Sequence, residues 1–459
     1  VSEGDGRGGG RSAETRVRQI PFPRNVEALA RSLAEACRDA PGWCWLDGEA
    51  ESGWSYLGAA TEVRLAEPGR EREFLDSLRA DHVSTESGFS GGWVVSLGYE
   101  LGVALLGVEP ASDEAAPGLA LRLDVVLAIN EAEQRAELRG LSEAGLDAWI
   151  ERFGASLFSG SEICPSVRET TPSAASTSAR WRQSDEAYLT RVEQAKRSIA
   201  EGDAYVLCLT DTATVVGEFD PLELYLDLRQ RGAAIRGGVI VTKERALVSA
   251  SPEQFLSVRG GTVSTHPIKG TRPRGADRET DRALASELAT DPKELAENLM
   301  IVDLMRNDLS RVCDPGSVRV DGFRRVEQHP HVHQLVSTVS GQLKEGLGAN
   351  DAILACFPGG SMTGTPKKRA VEILADLELG PRGLYSGCFG WLSDAGNAEL
   401  AMTIRAVELR DRHGACFREA RVGAGGGITV DSDPEAELKE KQLKAASLLS
   451  ALEAHRPGA

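Results

Sequence analysis

The chain has 459 residues, 41% hydrophobic and 26% charged, enough for one large core or two. A formal net charge of −17 argues against nucleic acid or an anionic membrane as the main partner. No run of about 18 apolar residues occurs, which argues against a membrane span.

The opening VSEGDGRGGGRS does not read as a signal peptide. Eight scattered cysteines (Cys37, Cys44, Cys164, Cys208, Cys313, Cys356, Cys388, Cys416) form no C-x-x-C pair, so a reducing, cytoplasmic setting is expected. Residues 1–18, rich in Gly and Arg, are expected to form a disordered tail. Residues 19–158 form a first region, with helical spacing over 26–36 and strand-like runs at 93–97 and 123–129. Residues 159–182 carry the low-complexity SVRETTPSAASTSA and read as a linker. In the second region, 183–455, a helix is expected to begin from Ser184 with Tyr188, Val192, Ala195 and Ile199 on one stripe, and Gly202 stops it. Strand-like runs at 204–210, 238–242 and 402–409 then alternate with helical patterns at 281–289, 293–305, 367–377 and 434–452. No internal repeat is visible. The pattern predicts an α+β protein with large sheets and peripheral helices.

The most informative stretch is VGAGGGITVDSDPEAELKE, residues 422–440. It reads as a glycine loop whose bare amides can converge on an anion, followed by a helix start. Asp433 suits the cap and Pro434 the first helical position. No Gly-Lys-Ser/Thr follows, and Ile428 stands where a third dinucleotide-motif glycine would fall. Glu437 and Glu440 are candidate metal ligands; the plain alternative is a solvated face pairing them with Lys441 and Lys444.

Four further stretches carry candidates. SPEQF holds Glu253 between two strand-like runs. HPIKGTRPRG places Lys269 before a Gly-Thr turn that includes Thr271, near Arg272 and Arg274. KELAENLMIVDLMRNDLSRV carries Glu294 and Glu297; the i+4 neighbour of Glu297 is Ile301, so no forward ion pair explains an acid on this apolar helix. FPGGSMTGTPKKRAVEI is a Gly/Thr loop running into a basic helix start.

PIKGT, AENLMIVDLMRND, PGGSMTGTPK, YSGCFGWL, ELAMTIRAV and GAGGGITVDSDPEAELKE occur in this order over residues 250–445. Together they strongly resemble the chorismate-utilising enzymes, which include anthranilate synthase component I, aminodeoxychorismate synthase component I and the isochorismate synthases. The resemblance implies large antiparallel sheets packed as a sandwich with peripheral helices. It implies Mg²⁺ held by Glu297 and Glu440, with Glu437 adjacent, against the ring carboxylate of chorismate. Gly425, Gly426 and Gly427 would offer amides to a substrate carboxylate. Tyr385 and Arg405 would contact the enolpyruvyl side, and Thr271 and Gln334 would line the substrate.

Lys269, in PIKGT rather than PIAGT, resembles the aminodeoxychorismate synthase branch. There the lysine is a nucleophile and an acid at the position of Glu253 protonates the leaving hydroxyl. Arg272, Arg274 and the metal are expected to depress the Lys269 pKa. Val206 stands where isochorismate synthases have a lysine base, which argues against that reaction. Val206 and Cys208 also replace Gln and Asn, and Gln334 replaces a histidine, with His333 one place earlier. No Gly-x-Cys-x-Gly glutaminase motif is present, so ammonia is expected from a separate glutamine amidotransferase subunit. The product would feed p-aminobenzoate and folate, or p-aminophenyl natural products. Anthranilate synthase component I is the alternative enzyme; an inactive chorismate- or tryptophan-binding regulator is the alternative of another class.

Overall fold

The computed structural model describes residues 15–47, 52–80, 88–158, 179–232, 236–329 and 332–455. Most of the expected linker, Cys164 within it, and residues 1–14 of the expected tail lie outside the described residues. Where description begins, the tail expectation is corrected: Arg16–Ile20 is a strand, in register with Arg135–Gly140. Its alternating charged and apolar residues suit a sheet edge, a pattern that overall composition hides. Likewise Arg180–Trp181, at the end of the expected linker, pairs with Thr214 and Ala213.

Two antiparallel sheets carry the fold, of twelve and ten strands. The larger runs from Arg16–Ile20 at one edge, through Gly42–Asp47, Arg236–Thr242 and Ala406–His413, to Cys416–Ile428 and Val206–Phe219. The smaller runs from Ile268–Pro273 through Val332–Gln342, Gln254–Arg259 and Cys388–Ser393 to Gly92–Leu97 and Glu62–Leu65. Strands from before and after residue 159 therefore share both sheets.

Tyr56, Val126, Ile240 and Leu247 from one sheet pack on Val94, Leu121, Phe389 and Trp391 from the other, making a sandwich. The outer face of the larger sheet buries apolar residues of helices Val26–Ala36, Pro221–Arg231 and Pro434–Ala454. Pro292–Ser310 and Ala349–Cys356 pack against the outer face of the smaller one. Of these helices, Val26–Ala36, Pro292–Ser310 and Pro434–Ala454 answer to helical patterns read in the sequence, whereas Pro221–Arg231 and Ala349–Cys356 are additions, and the α+β expectation holds. No helix among the described residues is long and apolar enough to cross a membrane.

Two runs read as single strands are each two strands in different sheets. The 123–129 run divides at Asp124 into the ends of Gly118–Leu123 and Val125–Asn130. The 402–409 run divides into Ala398–Met402 and Ala406–His413, with Arg405 at φ +50° in the corner. Residues buried on both faces give a continuous apolar run, so periodicity does not reveal the crossing.

Candidate active site

The expected glycine loop is a strand. Gly425, Gly426 and Gly427 lie in Cys416–Ile428, opposite Thr210, Leu209 and Cys208 of Val206–Phe219. None of the three has positive φ; Gly425 and Gly426 are glycines for lack of room, while Gly427 has space for a Cβ. A Cβ on Gly425 would run into the Leu209 carbonyl oxygen, and one on Gly426 would stand 2.8 Å from Glu437 Oε2.

The neighbouring strand Ala406–His413 follows this one only as far as Val407 opposite Val422. Beyond that point one edge of the glycine strand has no partner strand among the described residues. The Lys444 ammonium donates to the Gly425 carbonyl on that edge at 2.8 Å. Strand alternation then places the Gly425 and Gly427 amides on the open edge and turns Gly426 into the ladder. The facing residues agree: the Thr210 amide donates away to Glu378 and the Cys208 amide to Thr363. Two of the three expected amides are thus offered, and Gly426 instead supplies space.

The helix Pro434–Ala454 begins as its sequence predicts, with the Ala436 amide donating to the Asp433 side chain at 2.8 Å. Glu440 makes the plain surface pair with Lys444 at 2.6 Å. Glu437 does not pair with Lys441. It is buried, accepts from the Ser432 hydroxyl at 2.8 Å, and leaves Oε2 without a hydrogen-bond partner. Burial pushes its carboxyl pKa up.

Glu297 comes from the other helix, Pro292–Ser310, and stands 4.0 Å from where a Cβ on Gly427 would lie. Its helical partner is four residues back rather than forward: Lys293 Nζ is 3.9 Å from Glu297 and 4.0 Å from Glu437. One ammonium therefore faces carboxylates from both helices.

Lys269 reaches the same place through a bulge. The Ile268–Pro273 strand slips register between Ile268 and Thr271, and Gly270 takes φ +84°. A Cβ there would also stand 2.7 Å from Leu288 Cδ1, so the bulge needs glycine twice over. The Lys269 ammonium lies 3.8 Å from Glu297.

The expected influence of the arginines is corrected. Arg272 is engaged by Glu287 and Asp291, and Arg274 by Asp281. Desolvation works to lower the Lys269 pKa, but Glu297, Cys208, Glu253 and Glu440 outweigh it and hold the pKa above the usual lysine value. Glu253, also buried, has its carboxyl pKa raised by desolvation, with Lys269 and a Ser361 hydrogen bond in opposition.

Thr271 and Gln334 are register partners, and the buried Gln334 Oε1 has no hydrogen-bond partner. His333 points to the opposite side of its strand, fully buried, with Nε2 2.8 Å from Asp281. It does not stand in for the histidine that Gln334 replaces. Tyr385 packs its ring on Gly423, while Arg405 donates to the Lys444 carbonyl at 2.8 Å.

Residues 42–450 match the family model for chorismate binding enzyme. The chain belongs to the chorismate binding enzyme family. An aminodeoxychorismate synthase of Streptomyces pristinaespiralis is 37% identical over 96% of this chain and 66% of its own length. Aminodeoxychorismate synthase component 1 of Klebsiella aerogenes is 38% identical over 80% of this chain and 78% of its own. The solved anthranilate synthase component I of Streptococcus pneumoniae TIGR4 superposes with a TM-score of 0.70 at 26% identity, covering 97% and 95% of the two chains. This chain spans 43–66% of the length of three aminodeoxychorismate synthases it matches.

In this chorismate binding enzyme, no three acidic, histidine or cysteine side chains among the described residues already form a metal cage. The donors nevertheless fit a hard divalent cation that keeps several waters. Glu437 has a buried oxygen without a partner, Glu440 stands beside it over Gly426, and Glu297 faces them across the Lys293 ammonium. Lys293 escaped the sequence reading, and Cys208 entered it only as a departure from the family pattern. Lys293 was findable by looking four residues back from Glu297.

Proposed function

We propose that this chain converts chorismate and ammonia to 4-amino-4-deoxychorismate. The observation carrying the reading is Lys269, placed by the bulge beside Glu297 and within electrostatic reach of buried Glu253. An amine there can act as nucleophile and the carboxylic acid as proton donor.

The neutral Lys269 amine attacks C2 of chorismate; both ring double bonds shift, C1=C2 to C1=C6 and C5=C6 to C4=C5, and the C4–O bond breaks. Glu253 gives its proton to the departing hydroxyl, which leaves as water. Ammonia then bonds to C4, both double bonds shift back, the C2–N bond breaks to release the neutral lysine, and a proton of the new C4 ammonium restores the Glu253 acid. The Gly425 and Gly427 amides hold a substrate carboxylate, and Tyr385 and Arg405 orient the enolpyruvyl ether. Mg²⁺, held by Glu297, Glu437 and Glu440, would neutralise those carboxylates and stabilise charge on the ring carboxylate. The seven described cysteines are all free, which supports a cytoplasmic setting.

The test is mass spectrometry of the products from chorismate, Mg²⁺ and an ammonium salt, with a pyruvate assay alongside. Aminodeoxychorismate without pyruvate is the expected outcome. Anthranilate with stoichiometric pyruvate would establish the alternative instead.

Two further outcomes follow from the same reading. Ammonium salts should support turnover by this chain alone, whereas glutamine should require an added glutaminase. Glutamine hydrolysis by these 459 residues would contradict the missing nucleophile motif. Glu297→Gln should weaken Mn²⁺ binding, read by calorimetry, and lower kcat by more than about tenfold, equivalent to about 1.4 kcal/mol. Retention of full Mn²⁺ affinity would remove Glu297 from the ligand set, because its ion pairs with Lys269 and Lys293 could still explain a loss of rate.

A further inference from the structure

Lys441 follows Glu440 directly and Glu437 by four residues, yet its side chain turns away from both. Its ammonium is 3.2 Å from Asp211, and both side chains are 0% exposed. The rings of Trp181 and Tyr188 stand over the same ammonium, with centroids at 4.1 and 4.3 Å. Four elements meet at this one cation. Lys441 belongs to the helix that carries Glu437 and Glu440, and Tyr188 to the helix Asp185–Ala200. Trp181 lies in the short strand opposite Ala213. Asp211 faces Ala424, so the ion pair sits level with the glycine strand, one residue from Gly425.

A fully buried ion pair rarely adds stability over apolar side chains of the same volume, because desolvating two charges offsets their attraction. Its directional contact can fix geometry where apolar packing would tolerate a slide or a rotation. At about 100° per residue, Lys441 lies roughly 40° round the helix from Glu437 and roughly 100° from Glu440. A rotation released by losing the pair would therefore carry both carboxylates with it. Other tethers hold the turn before the helix and the helix itself: Lys196 donates to the Ser432 carbonyl at 2.6 Å, the Ser432 hydroxyl to Glu437 at 2.8 Å, and Lys444 to the Gly425 carbonyl at 2.8 Å. Of the three lysines, only Lys441 is fully buried.

We propose that Lys441 is a positioning residue: clamped by Asp211, Trp181 and Tyr188, it sets the rotation of the first helical turns and so holds Glu437 and Glu440 against the glycine strand for a divalent cation. This rests on the metal reading above. Lys441 itself touches neither substrate nor metal.

The test combines Lys441→Met with Asp211→Asn, which removes both charges at nearly constant volume. Two readouts apart from turnover are Mn²⁺ affinity by titration calorimetry and hydrogen–deuterium exchange of the amides of residues 436–441. The expected result is binding weaker by about tenfold or more. Faster exchange at residues 436–441 should accompany it, while residues 445–452 and the melting temperature stay close to wild type. Trp181→Leu opens the clamp without leaving a charge unpaired and should shift both readouts in the same direction by less, whether or not the double variant folds. A folded variant with both readouts within about twofold of wild type overturns the proposal. If the wild-type chain binds no Mn²⁺, the metal reading fails separately, and exchange at residues 436–441 alone decides whether Lys441 positions the helix.

Discussion

Lys269→Ala is expected to lower kcat by about 10³-fold or more, about 4 kcal/mol, while KM for chorismate changes only a few-fold. In the proposed route the amine forms its bond in the transition state, so its loss falls on the chemical step rather than on binding. The site should survive the change, because Glu297 keeps Lys293 at 3.9 Å and is not left as an unpaired charge. The open-edge amides and the three carboxylates are untouched. With the nucleophile gone, ammonia can still attack C2 directly, so a slow drift towards aminodeoxyisochorismate or anthranilate is the expected residual chemistry. Incubation of the wild-type chain with chorismate in the absence of ammonia should add mass to the peptide containing Lys269. A lysine that merely neighbours a turn predicts a change within about 0.5 kcal/mol and no adduct. Near-normal aminodeoxychorismate production by Lys269→Ala would overturn the covalent route and, with it, the preference over the anthranilate reaction.

That reaction depends on features that were unequally legible in the sequence. The helices were readable because capping and a 3.6-residue stripe are local: 26–36 and 367–377 match the observed helices, and 434–452 falls two residues short. The sheet corners were not, because Asp124 and Arg405 interrupt runs buried on both sides, and nothing local marks a strand changing sheets. The glycine strand was misread as a loop for a related reason. Gly425, Gly423 and Gly426 answer a steric demand made by Leu209, Tyr385 and Glu437, residues remote in sequence. Ion pairing divided along the same line. Glu440 with Lys444 followed from helical spacing, whereas Arg272, Arg274 and Lys441 each chose partners that spacing did not supply. The candidate residues were legible by family pattern; the charges that tune Lys269 became visible only in three dimensions.

Glu253→Gln separates proton donation from everything else the site does. The buried carboxyl is held above the ordinary carboxylate range by desolvation, so it retains its proton to higher pH than an exposed glutamate. In the proposed reaction its acid form is the one that protonates the leaving hydroxyl. This contribution to the rate is present below the raised pKa and declines as pH rises through it. Lys269 has the opposite requirement: it must be neutral, and its raised pKa makes that form scarcer at low pH. The wild-type profile of kcat/KM should therefore rise and then fall with pH. Glu253→Gln keeps the shape and hydrogen-bonding capacity of the side chain but has no acidic proton. It should lose about 10²-fold in kcat and lose the alkaline decline, leaving a rate that only rises with pH. Stability should move the other way. A carboxyl whose folded pKa exceeds its unfolded value costs stability as pH rises through the interval between them. Replacing it by a neutral amide should therefore leave the melting temperature at neutral pH no lower than in the wild type. A variant that folds, binds chorismate and still shows the alkaline decline would assign that titration, and the donated proton, to another group.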